Sequence, residues 1–313
     1  MVMARKLRIE YPGALYHVMN RGDHREPVFR DDRDREAFVE TLGEACAKTG
    51  WEVHAYCLMP NHFHLVVETP QGNLVAGMQW LLGTYTGRFN RRHKLFGHLF
   101  SGRYKSLVVD GSGTGYLKTV CDYVHLNPVR AKLIGREERL AGYCWSSYRA
   151  YLWPAQRRPK WLRVDRLLGE YRVPKASAAG RRYFAQAMEA RRQGEPTQEF
   201  KAVRRGWCLG DKAFRRELLA QMGEHAGANH YGEEVRESAE AKAEGMVEEE
   251  LRRRGWGEVE LRERAKGDQG KMAMAVRLRR ETTMTLKWVA ERLAMGSWSN
   301  VSNLLAVARK KGQ

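Results

Sequence analysis

From residue 14 onward the chain switches between two hydrophobic periods. ALYHVMNR (14–21) is a short aromatic and apolar run that stops at the turn signal Asn20-Arg21-Gly22, which predicts a strand. Asp31 to Lys48 then carries apolar residues at Phe38, Leu42 and Ala45 with charge between them, the spacing of a helix with one buried face. WEVHAYCLM (51–59) and HFHLVVET (62–69) flank Pro60-Asn61 and read as two paired strands. Leu74 to Arg92 predicts a second helix, and RYKSLVVD (103–110) a fourth strand. The order β-α-β-β-α-β is that of the ferredoxin-like split unit, an antiparallel sheet with its helices on one face.

After Trp153 the pattern changes. WPAQRRPKWLR and YRVPKASAAG combine proline, glycine and positive charge, the composition of a basic linker with short helices. Glu233 to Lys266 is dense in glutamate and arginine and weakly amphipathic through Val235, Met246, Val247 and Leu251, and its charge reads as a solvated helical face. In TLKWVAERLAMGSWSNVSNLLAVARKK (285–311), Leu286, Val289, Ala290 and Leu293 share one helix face, Gly296 breaks the helix, and Val301, Leu304 and Leu305 face a core from a second one. That is helix-turn-helix spacing, in which early residues of the second helix meet base edges: Ser297, Ser299, Asn300 and Asn303, beside Trp298. The fold class expected is α+β: a ferredoxin-like domain over 1–153, a linker over 154–205, and an all-α domain over 206–313 with the helix-turn-helix near 285–306.

Charge narrows the partners. Lysine and arginine number 55 against 37 acidic residues, a net charge of +18, which favours a polyanion and nucleic acid first. Arg277, Arg279, Arg280, Arg309, Lys310 and Lys311 flank the helix-turn-helix, so duplex DNA is its expected target. No apolar span long enough for a membrane occurs and MVMARKLRIEYPG has no signal-peptide core, so a cytoplasmic protein is expected. The five cysteines form no C-x-x-C pair and are expected to be reduced.

LMPNHFHLVVE (58–68) sets two histidines one residue apart in an apolar strand. A strand turns alternate side chains to opposite faces, so His62 and His64 share one face and Phe63 and Leu65 the other. Such a pair is either two hydrogen-bonded imidazoles at a strand edge or two ligands of a metal that needs a third. In CDYVHLNPVRAKL (121–133), Tyr123 and Asn127 stand four apart, so one short helix is expected to present a phenol and an amide to the same point. Taken alone, these residues also fit a core aromatic and a helix terminator before Pro128.

In combination, the blocks YHVMNRG (16–22), LMPNHFHLVVE, GHLFSGRYKSLVVD (97–110) and Y-V-H-L-N-P-V-R-A from Tyr123 resemble the single-tyrosine HUH transposases of the IS200/IS605 type, most closely the REP-associated tyrosine transposases. The resemblance implies a HUH-type nuclease and strand transferase acting on single-stranded DNA near hairpins such as REP or BIME palindromes. Tyr123 would be the nucleophile, forming a 5′-phosphotyrosine, and His62, His64 and Asn127 would hold Mg²⁺ or Mn²⁺. Insertion-sequence relatives commonly carry glutamine where this chain has the shorter Asn127. Asn20, Arg21, Arg103 and Lys105, in the matching blocks, are expected on DNA, with Arg88, Arg91 and Arg92 extending that surface. Relatives are monomers or dimers, and a nucleoid-associated location follows from the partner. Two other functions fit the same residues: a non-catalytic regulator that binds hairpin and duplex DNA, and phosphodiester hydrolysis by metal-activated water.

Overall fold

β1 (Ala14–Arg21) is the strand on which the amino-terminal fold is built, because it pairs antiparallel with both β3 (His62–Thr69) and β4 (Lys105–Val109). β3 pairs in turn with β2 (Glu52–Met59), so the order β2-β3-β1-β4 is the ferredoxin-like one. A short fifth strand, β5 (Cys208–Leu209), adds to β4 in parallel. The computed structural model describes residues 9–113, 115–135, 137–194, 199–225 and 233–311. Two compact units result: Met1–Leu74 with Leu81–Asn229, and Val75–Trp80 with His230–Gln313.

One sheet face is closed by aromatic packing. α1 (Asp32–Thr49) starts at Asp31, whose carboxylate accepts from Asp34 N, and stops at Gly50, left-handed at φ 71°. Its Phe38 lies 4.8 Å from the ring of Phe63 and 5.0 Å from that of Tyr85 on α2 (Leu74–His93). Tyr85 donates to the carbonyl of Val28, so its hydroxyl is satisfied inside the core. Thus α1 and α2 share the face expected of them.

The opposite face carries α3 (Tyr116–His125), which crosses β2, β3 and β4. α4 (Asn127–Arg130) follows at once, with Pro128 in its first turn, where a missing N–H costs nothing. Tyr123 and Asn127 therefore stand on two successive helices rather than one.

The expected linker with short helices, 154–205, lies within the first unit. α5 (Tyr148–Tyr151) precedes it, α6 (Asp165–Glu170), α7 (Ala178–Gln193) and α8 (Lys201–Arg205) lie in it, and α9 (Lys212–His225) follows it. α7 is capped by Ser177 and buries Phe184 and Met188. The apolar positions of 154–205 are too sparse for a period to be read, but they meet a core already built by β2 and α3. Tyr171, just after α6, donates to both oxygens of the buried Asp122 on α3, and Arg191 Nε of α7 stands 2.8 Å from the same carboxylate. Burial pushes the Asp122 carboxyl up to about 7 against the pull of Arg191 and Tyr171.

The second unit is helical: α10 (Glu233–Arg254), α11 (Glu258–Glu263), α12 (Gln269–Glu281), α13 (Leu286–Arg292) and α14 (Trp298–Lys311). Val247, Leu251 and Leu261 lie in the same core as Leu278, Val289, Leu293 and Val301, so the charged 233–266 stretch does bury one face. The α13–α14 turn contains Gly296 at φ 86°, the break expected of a helix-turn-helix. Among the described residues no helix is long and apolar enough to cross a membrane. Cys46, Cys57 and Cys121 are buried free thiols, whereas Cys144 is exposed.

Arg191→Met would remove the cation beside a buried carboxylate and is expected to lower stability by about 3 kcal/mol, less if Asp122 takes up a proton. Adding Asp122→Asn should recover part of that loss in urea unfolding. Unchanged stability of the single variant would mean that apolar packing alone holds α7.

Candidate functional site

The register of β1, β2 and β3 decides which side chains meet. Met19 and Cys57 stand opposite His64, and Arg21 and Met59 opposite His62, so His17, Met19 and Arg21 share the histidine face under α3. His17 Nε2 lies 2.9 Å from His64 Nδ1. Their ring planes differ by 13° with centroids 5.1 Å apart, so the two imidazoles are nearly coplanar and joined edge to edge. On the other ligand candidate, His62 Nδ1 lies 2.7 Å from Asn61 Oδ1, and Asn61 Nδ2 donates to the carbonyl of Arg25.

All three imidazoles are held neutral. Burial lowers His17 to about 3 and His62 to about 4, with Arg130 and Arg21 respectively adding to it. His64 is lowered further by burial, by its histidine neighbours and by Arg130 and Arg21. Neutral imidazole is the form that binds metals.

Tyr123 lies over this pair. Its ring centroid is 5.6 Å from His17 and 5.8 Å from His64, both edge-on. The Arg130 guanidinium sits 4.0 Å from the Tyr123 centroid and donates to its carbonyl, while Phe200 packs at 5.5 Å. Tyr123 is half-buried; Asn127 is buried, with an amide nitrogen that finds no hydrogen-bond partner. His17, Arg130 and Phe200 are the residues that sequence reasoning missed. Two of them lay inside quoted motifs, but their closeness to Tyr123 depends on strand register and on a turn after α3.

The donor set suits a divalent cation in part. His62 and His64 have one nitrogen each committed to a protein partner and the other left over, and an unsatisfied amide lies on the next helix. Among the described residues no group of three or more His, Cys, Asp or Glu could hold a metal, so a third ligand would be Asn127 or the substrate itself.

Beside His62 an open pocket of about 410 Å³ is lined by Asn20, Arg21, Arg103 and Lys105, with Met19 and Ser101. Four of the expected DNA contacts are thus brought together, and the buried Asn20 Nδ2 has no partner. Arg88, Arg91 and Arg92 are not among them. They belong to α2, which covers the other sheet face; Arg88 is bound to Thr41 and Glu44, and Arg92 to Asp31 and Asp34. These two cations tie α2 to α1, on the face away from the histidines; Arg91 is exposed on the same helix. His54 pairs with Glu68 and His125 with Ser147, away from the site.

In the second unit Ser297 caps α14 by accepting from Asn300 N, and Asn300 Nδ2 donates to the carbonyl of Met295. Trp298, Ser299 and Asn303 are exposed at the start of that helix. The side chains of Arg309, Lys310 and Lys311 lie outside the described residues, whereas Arg277 is engaged by Glu249 and Glu250.

Residues 11–127 match the family described as transposase, IS200-like. This match spans β1 to the first residue of α4 and includes His17, His62, His64, Tyr123 and Asn127; Arg130 and Phe200 fall outside it. A solved REP-associated tyrosine transposase bound to a REP hairpin is 15% identical over 49% of this chain and 89% of its own, with a TM-score of 0.38. No curated relative matches.

The buried histidines make the first unit sensitive to acid. The unfolded chain binds a proton on each histidine below about pH 6.5 while the folded one does not, so stability is full above that pH and falls as the pH drops. His17, His64 and His125, all lowered by burial, should together cost about 3 kcal/mol between pH 6 and pH 5 at about 1 kcal/mol each. Urea unfolding at pH 7.5, 6 and 5 measures this; a flat profile would mean that these rings are solvated.

Proposed function

We propose that the first unit is a metal-dependent endonuclease and strand transferase for single-stranded DNA beside a hairpin, with Tyr123 as nucleophile. The observation that supports this reading most directly is the Tyr123 ring within 6 Å of the ring of His64, next to a pocket lined by Arg21, Arg103 and Lys105. A phosphodiester reaching from that pocket to Tyr123 would meet cations on its non-bridging oxygens and a phenol as nucleophile. The Tyr123 oxygen attacks phosphorus, the phenol proton leaves to water, and the bond to the 3′-oxygen breaks, that oxygen taking a proton from water. The product is a 5′-phosphotyrosine with a free 3′-hydroxyl. Because one ester replaces another, the step runs backwards with the same or a different 3′-end, which is strand transfer.

Mg²⁺ or Mn²⁺ held by His62 and His64, with Asn127 as oxygen donor, would supply Lewis-acid charge to a phosphate oxygen. Arg130, against the Tyr123 ring and its carbonyl, adds fixed positive charge beside the nucleophile. In the second unit, the helix-turn-helix over 285–306 is read as a duplex-DNA contact through Ser299 and Asn303, with Ser297 and Asn300 shaping the helix start.

The test is a hairpin-bearing single strand with Mn²⁺, run on a denaturing gel. Native chain should give a covalent protein–DNA adduct, and Tyr123→Phe should bind the DNA while losing the adduct by about 10⁴-fold or more. Cleavage without an adduct would select hydrolysis by water. Binding with neither would select a regulator.

A further inference from the structure

The proposed function asks His62 and His64 to offer lone pairs, and an imidazole can do that from only one nitrogen at a time. Which nitrogen carries the proton is set by the partner of the other. At His62 the partner is unambiguous: Asn61 spends its amide nitrogen on the Arg25 carbonyl, so the oxygen at 2.7 Å from His62 Nδ1 can only accept. His62 must then carry its proton on Nδ1, with the lone pair on Nε2.

His64 faces a softer partner. His17 Nε2 can either donate or accept, and a hydrogen bond between two neutral imidazoles holds a single proton. If it belongs to His64 Nδ1, then His64 Nε2 is a lone pair; if it belongs to His17 Nε2, then His64 Nε2 is an N–H and binds no cation. The near-coplanar rings make this bond straight, so both nitrogens of the pair are committed to it.

We propose that Asn61 and His17 are the positioning residues of the site, each accepting a hydrogen bond from the Nδ1–H of one histidine so that His62 and His64 present both Nε2 lone pairs on one sheet face. The His62 half follows from the Asn61 contacts alone, whereas the direction of the His64–His17 bond rests on the proposed metal-assisted reading; both are statements about proton positions that can be read without metal. A further consequence concerns Arg25: at φ 65° it lies in the left-handed region that a non-glycine residue enters at a cost, and it is the carbonyl of this residue that orients Asn61.

The nitrogen-15 resonances of the histidine rings in the metal-free full-length chain test this directly. Native protein should show His62 and His64 protonated on Nδ1. In His17→Phe, which fills the space without an acceptor, His64 should become a mixture of tautomers; His17→Gln, whose amide reaches the same point, should restore one. Asn61→Ala should do the same to His62, and Asn61→Asp should rescue it. Mn²⁺ titration followed by electron paramagnetic resonance should show about 10- to 100-fold weaker binding in His17→Phe and Asn61→Ala than in the two conservative variants. Native His64 protonated on Nε2, or tautomers unmoved in a folded His17→Phe, would overturn the inference. A native chain that binds no Mn²⁺ yet has both protons on Nδ1 would instead defeat the metal reading and leave the tautomer assignment standing.

Discussion

The site depends on the register of a buried strand pair. β1 and β3 are central, covered on both faces, and every side chain they carry is committed to one side or the other. A slip of one residue would turn Phe63 and Leu65 toward α3 and drive His62 and His64 into the aromatic core of α1 and α2. Phe63, packed between Phe38 and Phe100, therefore fixes the histidines on either side of it as firmly as any contact the histidines make themselves. Burial on that face then strips them of charge, which is the electrostatic state a cation-binding or phosphate-handling face needs.

Much of this was legible from the residues. The six central elements came out within about two residues of their ends, because period-2 and period-3.6 runs bounded by Asn-Arg-Gly and Pro-Asn leave little choice. The shared face of His62 and His64 followed from the pleat alone, and the ordered blocks around them carried the family resemblance. What was not legible depends on contacts between distant segments. His17 sits in a quoted motif, but nothing in the sequence states that β1 pairs with β3 so as to set it against His64. Arg88 and Arg92 looked like available cations; only the approach of α1 to α2 shows that Glu44, Asp31 and Asp34 consume them.

How the stretch after residue 153 packs, expected only as a linker with short helices, was illegible for a related reason. Short helices with few apolar positions score as linker because each has little to bury by itself. α7 needs only Phe184 and Met188 to find a core, and Tyr171 with Arg191 to find Asp122. Such elements are specified by the surface they land on, so their own period is weak.

That surface is the back of α3, which carries the tyrosine. Asp122 precedes Tyr123 by one residue, so on a helix the two point in directions about 100° apart: the carboxylate toward α7, the phenol toward the sheet. Holding Asp122 with Tyr171 and Arg191 thus fixes the rotation of the helix that aims Tyr123, while Phe200 packs against the ring itself. All three holding residues lie beyond residue 127, where the family match ends. The histidine side of the site is built inside the matched domain. The orientation of the tyrosine is completed by chain that no motif within that domain could have announced.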